Sequence, residues 1–269
     1  MPNNVMDVSA WLDALAGSHD RLSDIVGALD DEGLRSPSYC DGWTVAQVLS
    51  HVGSGAEIMG GAVDAGVAGE APPSRDTYPQ IWERWNAMGP REAAEAALGT
   101  DGELVERLEH LGDGLSELEF TLFGGMRMDA VGLLRTRLGE HALHTWDVAV
   151  TLDPRALVEA DAVTLLSDGL ARMTGWLGKA ELADQPRPFT VRVVVSDPDH
   201  QFDLSVGDAV SASMADDADA GEVPPRTLHL PAEAFLRLVY GRLDPSHTPD
   251  VPPEEQSTLD TLRKVFPGF

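Results

Sequence analysis

Apolar residues recur at helical spacing through nearly all of the first 180 positions, and after Gln185-Pro-Arg-Pro188 the period drops to two. A helix repeats about every 3.6 residues and a strand every two, so one packing scheme cannot serve both segments. The chain therefore reads as α plus α+β, with a helical bundle over residues 1–182 and a smaller α+β domain over 185–269. No internal repeat is evident.

Helical periodicity covers residues 8–30, and a breaker-rich loop over 33–43 contains Ser36-Pro37-Ser38 and Asp41-Gly42. Thr44-Val-Ala-Gln47 then has the form of a capping box, opening a helix that runs to about Val67. A loop around Pro72-Pro73 precedes helical patterns at 79–98 and 102–118, and Gly124-Gly125 marks a turn. A helix follows over 129–152, and Asp153-Pro154 begins another that ends near Gly178. Beyond it, Phe189-Thr-Val-Arg-Val-Val-Val195 and Gln201-Phe-Asp-Leu-Ser-Val206 flank the turn Asp197-Pro-Asp-His200 and read as a hairpin. An acidic loop over 214–222, a strand at 226–230, a short helix opened by Pro231 and closed by Gly241, and a final helix complete the domain.

The formal charge of −26 opposes nucleic acid and anionic membrane surfaces, since phosphate binding needs clustered Lys and Arg. No apolar run approaches the roughly 20 residues of a membrane span. The segment Met-Pro-Asn-Asn-Val-Met-Asp lacks a basic region followed by an apolar core, so the expected location is the cytoplasm. Cys40 is the single cysteine, which rules out an internal disulfide and the CxxC redox and zinc-ribbon patterns. If thiol chemistry occurs, the expected thiol comes from outside the chain.

Placing residues 129–152 on a helix puts Leu133, Arg137, Glu140, His144, Asp147 and Val148 on one stripe. Charged groups on an inward face are costly unless paired or metal-bound. Glu140 and His144, four residues apart, lie on one face and can share a divalent ion. His51, two turns into the helix opened by Thr44, offers a third ligand, and Asp147 could orient a ligand imidazole. The same spacing also suits a hydrogen-bonded polar pair in a bundle. His141 is expected at the rim of the stripe, and the other histidines have no companion at ligand spacing. Two imidazoles and a carboxylate would leave a position open for water or substrate.

Cys40-Asp-Gly-Trp-Thr-Val-Ala-Gln-Val-Leu-Ser-His51, followed by Gly139-Glu-His-Ala-Leu-His-Thr-Trp-Asp147, resembles the mycothiol-dependent maleylpyruvate isomerase family. The resemblance implies a DinB-like four-helix bundle whose metal ligands are His51, Glu140 and His144, with zinc the expected ion. Arg137 and Asp147 would be cofactor-facing or ligand-orienting groups. The C-terminal part resembles, more loosely, a sterol-carrier-like domain. Its stretch Phe235-Leu-Arg-Leu-Val-Tyr-Gly-Arg242 is similar to a closing helix in which Arg242 either clamps a substrate carboxylate or caps the helix.

What the resemblance implies is an enzyme using mycothiol, a small sugar-linked thiol, against a small electrophile. Thiol S-transfer and cis–trans isomerisation of maleylpyruvate to fumarylpyruvate are both within its range. The reading of another class is a non-catalytic, metal-stabilised binding protein for a small ligand. Substrate specificity is expected from loops at 69–77 and 99–102, and the oligomeric state leaves no mark in the sequence.

Overall fold

The computed structural model describes residues 8–122, 125–185, 187–215 and 226–268. It divides into two compact units, Met1–Ala162 and Val163–Phe269. The first opens with α1 (Val8–Gly27) and the short α2 (Asp31–Arg35), followed by the long α3 (Val45–Ala68). Then come α4 (Tyr78–Asn86) and α5 (Pro90–Leu111), the two-stranded ladder of β1 (Phe120–Leu122) and β2 (Met126–Met128), and α6 (Ala130–Leu152). Helix α7 (Ala160–Ser167) spans the division between the units.

Four long helices make the bundle: α1 packs on α6 and α5, and α3 packs on α5 and α6. Trp11, Leu15 and Leu22 of α1, Leu49 of α3, Leu108 of α5 and Leu133, Leu138 and Trp146 of α6 fill its interior. Each such side chain removed from water contributes about 1.5–3 kcal/mol, which offsets the cost of ordering the helices. Start signals are where the sequence puts them. Thr44 Oγ1 accepts from the Gln47 N–H while the Gln47 side chain accepts from the Thr44 N–H, completing the capping box. Asp129 caps α6 through the Gly132 N–H at 2.7 Å.

Helix boundaries between 79 and 118 differ from the periodic reading. The expected break near Gly99–Gly102 is absent, and α5 runs straight through these residues. The break comes earlier, at Gly89-Pro90, where proline lacks the N–H needed to continue α4 and starts α5 instead. Asp153-Pro154 forms a turn rather than a helix start, and Gly169 separates α7 from α8 (Leu170–Leu177). Gly125 of the expected Gly124-Gly125 turn stands in a turn, its N–H donating to the Leu122 carbonyl at 3.2 Å, while Gly124 and most of the acidic loop at 214–222 lie outside the described residues.

In the second unit β3 (Phe189–Ser196) and β4 (His200–Val206) form the expected hairpin, and β5 (Val210–Met214) adds to β4. The strand β6 (Arg226–Pro231) pairs parallel with β3, giving the order β5-β4-β3-β6. Alternation buries Val191, Val193, Val195, Phe202, Leu204, Leu228 and Leu230 on one face. Helix α9 (Ala232–Val239) packs on β6 and β3, and α10 (Gln256–Val265) on β6. Helix α8 carries the bundle's period but packs on β5 and α9. Contacts therefore divide the chain ahead of the change of period at Gln185. Gly241 closes α9 at φ +72°, where a Cβ would sit 2.3 Å from Gly268, so the position admits no larger residue.

Two glycine substitutions test the bundle packing. A Cβ on Gly53 would lie 2.4 Å from the Trp85 ring and 2.9 Å from Ala97 Cα. Gly53→Ala is expected to cost about 1–3 kcal/mol through overpacking. Gly99 sits mid-helix in α5 with nothing within 4 Å of its would-be Cβ. Gly99→Ala is expected to gain about 0.4–1 kcal/mol, and urea unfolding curves read both signs.

Candidate metal centre

Three side chains from two helices converge at the surface of the bundle. His51 projects from α3, and Glu140 and His144 project from α6 one turn apart. Their candidate ligand atoms all lie within 4.8 Å of one another. His51 Nε2 is 3.5 Å from Glu140 Oε1, and the two imidazole rings meet edge to face with centroids 4.8 Å apart. His51 and Glu140 are 36% and 43% exposed, so small molecules can reach the cluster from solvent. Gly55, one turn after His51, leaves the space that the Glu140 carboxylate occupies: a Cβ there would lie 3.5 Å from Glu140 Oε2 and 3.3 Å from Arg137 Nη1.

Asp147 is fully buried one turn beyond His144, and its Oδ2 lies 2.8 Å from His144 Nδ1. That bond favours the tautomer with the proton on Nδ1, which places the ring's lone pair on Nε2. Cys40 Sγ donates to the same Asp147 oxygen at 3.2 Å, and the Tyr39 N–H donates to the Asp147 carbonyl at 3.1 Å. The loop before α3 is thus tied to the turn of α6 that carries His144 and Asp147. The Trp43 ring sits edge-on to His51 with centroids 5.5 Å apart and is 39% exposed.

A second polar cluster lies deeper. Asp101 of α5, fully buried, receives His19 Nδ1 at 2.6 Å, has His141 Nε2 at 2.9 Å, and pairs closely with the Arg137 guanidinium. His141 Nδ1 faces Ser18 Oγ at 2.8 Å. His141 was expected at the rim but is completely buried, because α1 packs over that side of α6. Arg137, expected to face the cofactor, is 1% exposed and donates to the Val52 carbonyl and to Asp101. Arg242 lies in the second unit, where it is nearly buried and donates to the Tyr240 carbonyl at 3.0 Å. Arg237, which carried no sequence signal, is the arginine that holds the end of α9 there. It pairs with Glu233 and donates to the carbonyls of Arg242 and His247.

Charge decides which cluster suits a cation. The inner set already balances one carboxylate against one guanidinium, and an added divalent ion would leave buried net positive charge. Its nitrogen-to-oxygen distances of 2.6 and 2.9 Å are hydrogen-bond lengths that leave no gap for an ion. A third set, Cys40, His144 and Asp147, needs the His144 nitrogen that Asp147 already engages. The outer set of two imidazoles and one carboxylate has the right donors, an open side and an orienting carboxylate behind it.

Ionisation follows the same division. Burial pushes the Asp101 carboxyl up, and His141, Arg137 and His19 outweigh it, holding it far below the usual carboxylate range. Burial also pushes His141 down, while the hydrogen bond that His19 makes to Asp101 raises His19. At Glu140, loss of hydration raises the carboxyl, but His51, His144 and Arg137 together bring it down to about 2.

The family model for the mycothiol maleylpyruvate isomerase N-terminal domain matches residues 15–149. Two solved structures share the fold, a mycothiol-dependent maleylpyruvate isomerase and a histidine-to-alanine mutant of it. Each superimposes with a TM-score of 0.62 at 14% identity, covering 92% of this chain and 97% of the other. No curated protein sequence matches the chain.

The electrostatics give a pH prediction for the metal-free protein. Glu140 holds its proton less firmly folded than unfolded. Its contribution is therefore complete above the unfolded value of 4.5 and lost as pH falls toward about 2. Solvent screens a partly exposed pair, so the effect is modest. Urea unfolding between pH 6 and about 3 should show wild-type stability declining more steeply than that of Glu140→Gln. Parallel curves would mean the carboxylate is not paired.

Proposed function

The chain belongs to the mycothiol maleylpyruvate isomerase N-terminal domain family, and from that membership we propose a zinc-dependent enzyme that activates mycothiol against a small electrophile. The broader statement, an enzyme of the transferase or isomerase kind, follows from the family. The observation that carries the finer reading is the outer cluster, with its three ligand atoms within 4.8 Å on an accessible rim.

His51, Glu140 and His144 would hold the metal. When bound, a zinc ion there would keep the thiol of mycothiol as its thiolate at neutral pH. The protein's own part is positional. Asp147 holds His144 in the tautomer that presents Nε2, and the open edge between His51 and Glu140 admits the thiol. Cys40 donates its S–H to Asp147, which supports a thiol supplied from outside. Attack on a conjugated double bond followed by rotation and departure of the thiolate gives isomerisation, whereas retention of the sulfur gives transfer. Arg242 enters as the group that would bind a substrate carboxylate, and the proposed location is the cytoplasm. None of the helices is long and apolar enough to cross a membrane among the described residues.

His51→Ala, Glu140→Gln and His144→Ala are each expected to lose bound zinc, measured by elemental analysis, together with thiol-dependent turnover. Zinc content equal to wild type in all three would refute the site. Assays with mycothiol and either maleylpyruvate or a bimane electrophile separate isomerase from S-transferase. A protein that binds zinc, turns over neither, and exchanges its metal with chelator only on unfolding would be the metal-stabilised binding protein instead. Arg242→Ala should raise KM for a carboxylate substrate with zinc content unchanged, and an unchanged KM would leave Arg242 as a helix cap.

A further inference from the structure

We propose that Asp101 is a positioning residue for the metal centre: through Arg137 it sets the gap between the ligand on α3 and the two ligands on α6. The inference rests on the outer cluster being the metal site. It assigns a role to a buried network that the chemistry does not touch.

The geometry runs through a short chain of contacts. Asp101 sits on α5 with no exposed surface and is met from two other helices: His19 of α1 and Arg137 of α6 bond to it, and His141 Nε2 of α6 lies 2.9 Å from it. The guanidinium of Arg137 then reaches α3 by donating to the carbonyl of Val52, the residue after His51. Along α6, Arg137 lies one turn before Glu140. Its Nη1 and Glu140 Oε2 both border the space beside Gly55. His141, next to Glu140 in sequence, is tethered to α1 through Ser18. One carboxylate therefore ties all four bundle helices together beside the ligand cluster.

Apolar packing alone tolerates small sliding of one helix along another, because leucine and valine surfaces are not directional. Directional bonds to a single buried carboxylate are not tolerant in that way. His51 and Glu140 come from different helices, so a shift of α3 along α6 changes their separation directly. Arg137 contacts α3, α5 and the Glu140 neighbourhood together. Without Asp101 it would have no counter-charge in the interior and would turn toward Glu140, competing for that carboxylate.

The test uses cobalt(II) as the probe, titrated into the metal-free full-length protein and followed by its visible ligand-field bands. Asp101→Asn and Arg137→Lys are expected to weaken cobalt affinity by about ten- to a hundredfold and to shift the bands, the range seen when groups supporting metal ligands are lost. Leu108→Ala, a buried α5 substitution outside the network, is the control for mere destabilisation. It should lower the melting temperature while leaving affinity and spectrum as in wild type. If Asp101→Asn fails to fold, Arg137→Lys alone decides. Wild-type affinity and spectrum in the folded network variants would overturn the positioning role, as would an equal loss in Leu108→Ala. Failure of the wild-type protein to bind cobalt would overturn the metal reading as well, so the two failures are distinguishable.

Discussion

The contact between α3 and α6 is the constraint on which the rest of this candidate site depends, because neither helix carries all three candidate ligands. His51 comes from one and Glu140 and His144 from the other, with ligand atoms drawn to within 4.8 Å. Ordinary core packing brings the helices together, with Leu49 of α3 and Leu133 of α6 both fully buried. The relative slide of the two helices needs something directional, and the buried pair of Arg137 with Asp101, bonded across to Val52, supplies it. Such a pair is expensive to bury, and removing one partner typically costs about 3–5 kcal/mol. Its presence so near the ligands is better explained by geometry than by stability.

The two polar clusters share a helix yet have opposite characters. Residues Arg137 and His141 of α6 are buried beneath α1 and α5, while Glu140 opens toward solvent and His144 lies partly buried beside it. A helix turns about 100° per residue, so neighbours in sequence can belong to the interior and to the site at once. The closed cluster balances its own charge. The open one places a carboxylate beside two imidazoles, with Asp147 behind them, and that imbalance is what a cation would satisfy.

Much of this was readable in one dimension. The capping box at Thr44, the Asp129 start of α6 and the β3–β4 hairpin follow from local signals at fixed spacing, whereas the grouping of His51 with Glu140 and His144 was an expectation of the family resemblance. Misreadings arose where a local signal was overruled. Gly99 and Gly102 suggested a break, but flanking helix formers carried α5 through, and Pro90 imposed the break instead. Helix α8 has the bundle's period, and its periodicity cannot say that its apolar face meets β5. Asp101 gave no signal at all, since its partners are His19, Arg137 and His141, the nearest 36 residues away in sequence.

By itself the sequence determined which residues could ligate and on which helices they sit, because spacing along a helix translates directly into a shared face. It also determined the two classes of architecture, since a change from helical to strand period is written locally. Only the tertiary structure decided which polar residues on α6 face water and which are sealed. It likewise showed that Arg137 serves the interior and that Asp147 is engaged by both His144 and Cys40. Those outcomes depend on what packs against each face, and packing partners distant in sequence have no local signature.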